Sequence, residues 1–140
     1  MGPREMASQL AKVPIFSGCS RKELELIARS AKVVSHKAGA VLAREGEPGV
    51  GLFLILDGSA EVTIGGRRKA VLGKGDFFGE VALLDGGPRT ATVTATSAVT
   101  IAGITEWVFR SLLLQHPSIA LRTLETVAAR LRSASKDASA

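Results

Sequence analysis

Apolar and polar positions along the chain fall into three patterns. From residue 1 to about 30 the spacing is helical. Ser20-Arg21-Lys22-Glu23 has the form of a capping box, and Leu24, Ile27 and Ala28 follow at helical intervals. From about 31 to 104 the period shortens to that of strands. The segments 32–36, 41–44, 52–56, 60–64, 69–72, 91–96 and 99–104 are short and rich in branched or apolar residues, and Phe77-Phe78 reads as a further strand end. Asp57-Gly58 and Gly65-Gly66 between them are two-residue hairpin turns, because glycine and aspartate tolerate positive φ. In Ala91-Thr92-Val93-Thr94-Ala95-Thr96 apolar residues and threonines alternate, which gives one dry face and one wet face.

After Ile104 the helical period returns. Thr105 caps a helix carrying Trp107, Val108, Leu112 and Leu113. A second helix, 117–132, places Leu121, Leu124, Ala128 and Leu131 on one stripe. That stripe fits plain core packing, a lid or a dimer seam. The tail 133–140 is expected to fray. The expected fold is therefore mainly β with flanking α. It is an eight-stranded antiparallel β-barrel or jelly roll (31–104) with an N-terminal helical segment (1–30), one short helical turn after Gly79 and two C-terminal helices (105–132).

Length and composition narrow the class. The 140 residues suffice for one domain with a core, and 46% hydrophobic with 22% charged residues suits a globular chain. No apolar run reaches the length of a membrane span, and the N-terminus has no apolar core of a secretory signal. The single cysteine, Cys19, rules out an internal disulfide and fits a reducing cytoplasm. The formal net charge of +5 suits an anionic ligand, but the cations are scattered apart from Arg67-Arg68-Lys69, which reads as a solvated hairpin tip.

Catalytic and metal chemistry find little support. His36, His116 and Cys19 stand far apart, without metal-ligand spacing. Ser59, Ser97 and Ser111 lack a neighbouring histidine or a nucleophile elbow. The sequence reads as a non-enzyme. Attention falls instead on Phe78 to Thr92, FGEVALLDGGPRTAT, where Glu80 and Arg89 bracket an apolar segment. They are either an incidental surface ion pair or the two poles of a small-ligand pocket. In the second case Gly79 opens a helical turn whose first amides attract an anion. Gly86-Gly87-Pro88 reverses the chain and returns Arg89 toward that turn, while Val81, Leu83 and Leu84 anchor it. A guanidinium suits a phosphate and an ionised carboxylate suits a hydroxyl donor.

This segment resembles the phosphate-binding cassette of cyclic nucleotide-binding domains, in residues 78–84 and again in 88–93. The resemblance extends to Gly46-Glu47, Leu52–Leu56, Asp57-Gly58 with Ala60-Glu61-Val62, Gly75-Asp76 and the helical flanks. It implies a cAMP or cGMP sensor with a cassette at 78–91 whose C-terminal helices move on binding. Arg89 would hold the cyclic phosphate and Glu80 the ribose 2′-OH. The amides of Gly79, Ala82 and Thr90 would complete the polar shell, with Val81 and Ala91 beside them and Val62 and Leu72 as a wall against the base. Thr90 would permit a contact to the guanine 2-amino group, although some channel domains with threonine there prefer cAMP. No metal or cofactor is implied beyond the nucleotide. The expected partners are an effector protein or domain and a second copy through the C-terminal helix; no membrane is expected, and no DNA-binding module in this chain. A ligand-independent interaction module and a fragment of a larger effector such as a transcription factor are the alternatives. One departure stands out: many family members carry an acid before the third strand that holds the cassette arginine, and here Val50 occupies that place. Arg89 would then be steadied by Glu47, by Asp85 or by ligand alone.

Overall fold

The computed structural model describes residues 2–48 and 51–139, without the side chains of Val81, Ala82, Asp85, Arg130 and 134–139. Val50 therefore lies outside the described residues. In chain order the elements begin with α1 (Pro3–Leu10), a 3₁₀ turn (Pro14–Phe16) and α2 (Arg21–Arg29). Six strands follow: β1 (Lys32–His36), β2 (Val41–Ala43), β3 (Gly51–Asp57), β4 (Ala60–Ile64), β5 (Arg67–Leu72) and β6 (Phe77–Phe78). Then come α3 (Glu80–Asp85), β7 (Thr92–Ala95), β8 (Val99–Thr105), α4 (Glu106–Gln115) and α5 (Pro117–Ser139). They form two compact units, one of residues 30–109 and one made of the residues before and after it.

In the β unit two four-stranded antiparallel sheets have the orders β1-β8-β3-β6 and β2-β7-β4-β5. That is jelly-roll topology, but among the described residues no strand ladder joins the sheets, so the expected barrel is an open sandwich. Inward-facing residues of both sheets (Ala43, Ile55, Ala60, Val93, Ala95 and Ile101 among them) form one core cluster. Burying each branched side chain contributes about 1.5–3 kcal/mol. The alternation expected in β7 is present, with Val93 and Ala95 buried and Thr92 and Thr94 half-buried. The β4–β5 hairpin turns on Gly65 (φ 58°) and Gly66 (φ 79°), both left-handed as a type I′ turn requires. Because that turn is only two residues long, β5 begins at Arg67. The cluster Arg67-Arg68-Lys69 thus lies exposed along a strand rather than at the hairpin tip.

The helical unit is built as its caps dictate. The Ser20 amide donates to Glu23 Oε1 at 2.7 Å, and the Glu23 amide donates to Ser20 Oγ at 3.2 Å, a complete capping box. Thr105 Oγ1 accepts from the Val108 amide at 3.1 Å and starts α4. One expectation changes here, and one open choice narrows. The tail after Ser133 is helical as far as Ser139, since no glycine or proline interrupts it after Pro117. The stripe Leu121, Leu124, Ala128 and Leu131 is exposed, whereas α5 buries Ile119 and Thr123. In α4, likewise, Phe109 and Leu112 are buried and Trp107 is 78% exposed. Among the described residues no helix is long and apolar enough to cross a membrane.

Candidate functional site

The segment 78–89 is pinned at both ends. At its start Phe78 and Phe77 pair with Phe53 and Leu54 of β3. Gly79 then takes φ 89°, the left-handed region, and its carbonyl accepts from the Leu83 amide at 3.2 Å to open α3. Leu83 is 2% exposed and anchors the turn, while Leu84 is exposed and takes no part in the anchoring expected of it. At the other end Pro88 bridges to Pro48. The Arg89 amide donates to the Glu47 carbonyl at 2.8 Å, and the Arg89 carbonyl accepts from the Gly46 amide at 2.9 Å. Glu47 thus steadies Arg89, but through its main chain rather than its carboxylate.

This framework holds a guanidinium in an apolar place. Arg89 is 8% exposed, and its Nη1 has no hydrogen-bond partner among the described residues. Its Cζ lies 5.5 Å from the centroid of the Phe53 ring, within cation–π range. Burial lowers its pKa from the ordinary arginine value, and no neighbouring charge among the described residues contributes. Arginine stays protonated regardless, so the site presents a desolvated positive charge. A Cβ on Gly79 would run into Arg89 Nη1 and the Gly51 carbonyl, so only glycine leaves room for the arginine at this point.

Arg89 and Glu80 border one cavity of about 270 Å³, near the lower end of small-molecule sites. Glu80 is half-buried, with its Oε2 shielded from solvent. Gly79, Thr90 and Ala91 complete the polar end. The opposite wall is apolar and comes from the second sheet, with Ala43, Val62, Leu72 and Val93 each from a different strand. Ala43 and Val62 are both cross-strand neighbours of Val93, so these three form a row. All the expected site residues with described side chains therefore line one cavity. Val81 and Ala82 contribute backbone to α3, and their side chains lie outside the described set. The sequence reading missed Ala43, Phe77, Phe78, Pro88 and Val93 as lining residues. Val93 was within reach, being the inward residue of the β7 alternation; the others depend on strand register. The cavity suits a ligand with an anionic group, a hydroxyl donor and a flat apolar part.

The family model described as the cyclic nucleotide-binding domain matches residues 33–116. A cyclic nucleotide-gated potassium channel of Mesorhizobium japonicum is 38% identical over 111 residues, which is 79% of this chain and 31% of the channel. A cAMP-dependent protein kinase regulatory subunit of Colletotrichum orbiculare is 34% identical over 116 residues, covering 81% of this chain and 30% of the subunit. The chain thus spans about a third of the length of these relatives. Among solved structures, the N-terminal domain of a transcriptional regulator from Streptomyces coelicolor A3(2) superposes with a TM-score of 0.80 at 30% identity. That match covers 90% of this chain and 94% of the other.

Proposed function

The chain belongs to the cyclic nucleotide-binding domain family, and from that premise we propose that it binds cAMP or cGMP and serves as the sensor of a regulatory protein rather than as an enzyme. The observation that carries this reading is Arg89, a buried guanidinium whose Nη1 has no hydrogen-bond partner among the described residues, beside a cavity that Glu80 also lines. A desolvated cation of this kind attracts a phosphate strongly, since its hydrogen bonds act in a low dielectric. Arg89 takes the cyclic phosphate and Glu80 the ribose 2′-OH, with the amides of Gly79, Ala82 and Thr90 around them. Val62 and Leu72, together with Val93, face the purine. Thr90, exposed and lining the same cavity, is the residue to which we assign base selection.

The output is assigned to the C-terminal helices. The exposed Leu121, Leu124 and Leu131 of α5 favour a lid or a seam with a second copy over core packing. The effector is a protein or domain of the kind that makes up the rest of the longer relatives, and the setting is cytoplasmic. Calorimetric titration with cAMP and with cGMP tests the reading. Binding of at least one is expected, and Arg89→Ala weakens it tenfold or more, because a charge-assisted hydrogen bond contributes about 1.5–3 kcal/mol. Absence of heat with either nucleotide at high micromolar concentration would sink the receptor assignment.

A further inference from the structure

Phe53 lines no part of the cavity, yet its ring lies against Arg89 and against Phe78, two residues before Glu80. Its ring centroid lies 5.3 Å from that of Phe78, with the planes 30° apart. Phe78 immediately precedes Gly79 and Glu80. The same ring lies 5.5 Å from Arg89 Cζ. Phe53 is itself held between two strands, opposite Phe78 on β6 and opposite Gly103 on β8. At Gly103 an added Cβ would come within 2.9 Å of Phe53 Cε1, so the ring occupies the space that this glycine leaves empty.

No other described group performs this task for the guanidinium. The hydrogen bonds to Gly46 and Glu47 fix the Arg89 main chain only, and no charged neighbour among the described residues shifts its pKa. We propose that Phe53 is a positioning residue for cyclic nucleotide binding. Its ring, seated on Gly103, sets the distance between Glu80 and Arg89 by stacking on Phe78 and carrying the guanidinium on its π-system. In this chain an aromatic face takes the part that an acidic side chain would otherwise play in aiming the arginine. The inference rests on the receptor reading above and adds to it a residue that never touches the ligand.

Titrations of Phe53→Leu, Phe53→Tyr and Gly103→Ala with cAMP and cGMP test it, alongside thermal unfolding of Phe53→Leu, Arg89→Met and the double variant without ligand. Leucine keeps the apolar contact but has no π-system, so affinity should fall about threefold to thirtyfold, the span of cation–π contacts from exposed to desolvated. Tyrosine keeps the ring face and should bind as wild type. The Tm shifts of Phe53→Leu and Arg89→Met should fail to add in the double variant, because the two side chains share one interaction. Should Phe53→Leu not fold, Gly103→Ala retains the ring but displaces it, and the same loss of affinity is expected. Wild-type affinity in Phe53→Leu, equal losses in the tyrosine and leucine variants, or additive Tm shifts would each overturn the proposal. A wild type that binds neither nucleotide would instead overturn the receptor reading.

Discussion

Replacing Arg89 by methionine should improve folding and abolish binding at once. Arg89 is 8% exposed and its Nη1 lacks a hydrogen-bond partner among the described residues. A buried charge with incomplete partners costs several kcal/mol in desolvation. The Phe53 ring offsets only about 0.5–2 kcal/mol of that. The unliganded domain therefore carries a net penalty on the order of 1–3 kcal/mol, comparable to the gain seen when buried ionic groups are replaced by apolar ones of similar volume. Methionine is unbranched and apolar and can follow the path of the arginine stem. Arg89→Met should therefore raise the unliganded Tm by about 3–10 °C for a chain of this size. Melts followed by circular dichroism, with and without saturating nucleotide, provide the assay. Wild type should gain stability from ligand by mass action, while the variant should start higher and gain nothing. A lower unliganded Tm for Arg89→Met would refute the reasoning, because the guanidinium would then be satisfied in the empty domain.

Gly79→Ala forces a left-handed φ on alanine, costing about 1–2 kcal/mol, and drives its Cβ into Arg89 Nη1 and the Gly51 carbonyl. Stability and nucleotide affinity should both fall, and a variant that melts and binds as wild type would contradict the close approach. Thr90→Ala should weaken cGMP and spare cAMP if the hydroxyl reads guanine; parallel titrations that change both equally would remove Thr90 from base selection. Burial pushes the Glu23 carboxyl up, but the hydrogen bond from the Ser20 amide, with the nearby Ser118 and Ser20 hydroxyls and the Arg122 charge, outweighs it and holds the pKa below its ordinary value. Its contribution to stability is thus present above the ordinary carboxylate pKa and is lost as pH falls through the lowered folded value. Ser20→Ala should cost about 1 kcal/mol at neutral pH in urea unfolding and less in acid, and a pH-independent cost would be inconsistent with that linkage. Burial and then Glu23 push the Cys19 thiol up to about 11. Its alkylation at neutral pH should be on the order of a hundredfold slower than that of a free thiol, and a rate matching a cysteine peptide would contradict the burial.

What was legible in the sequence was local. The capping box at Ser20 and Glu23, the Gly65-Gly66 turn and the alternation through Thr92–Ala95 each need only a few consecutive residues, and each appears as expected. That Glu80 and Arg89 line one cavity was legible for the same reason, since they lie in one short segment whose glycines dictate a reversal. Burial of the helices was less legible, because the leucine stripe of α5 and the Phe109 face of α4 are both helical in period and only packing chooses between them. Sheet closure was illegible for a related reason: alternation identifies which face is dry without saying whether edge strands meet.

The support beneath Arg89 was the least legible feature, and its physics explains why. Spacing near the arginine offers carboxylates as partners, since charge complementarity is visible in a string of letters. A ring that carries a cation leaves no such trace. Phe53 sits in an apolar run where any large side chain would satisfy the strand pattern. Its seat is set by two ladders, β3 with β6 and β3 with β8, whose registers place Phe78 and Gly103 on either side of it, while Arg89 is brought to it by main-chain bonds to Gly46 and Glu47. Gly103 in turn looks like a weak point in a strand until the ring that fills its place is known. The lack of a hydrogen-bond partner for the buried Nη1 among the described residues fits this arrangement. A π-face attracts the charge without consuming its N–H donors, so the guanidinium can be held in place while a donor stays available for an incoming phosphate. A carboxylate would hold the arginine more strongly but would occupy those donors and compete with the ligand for them.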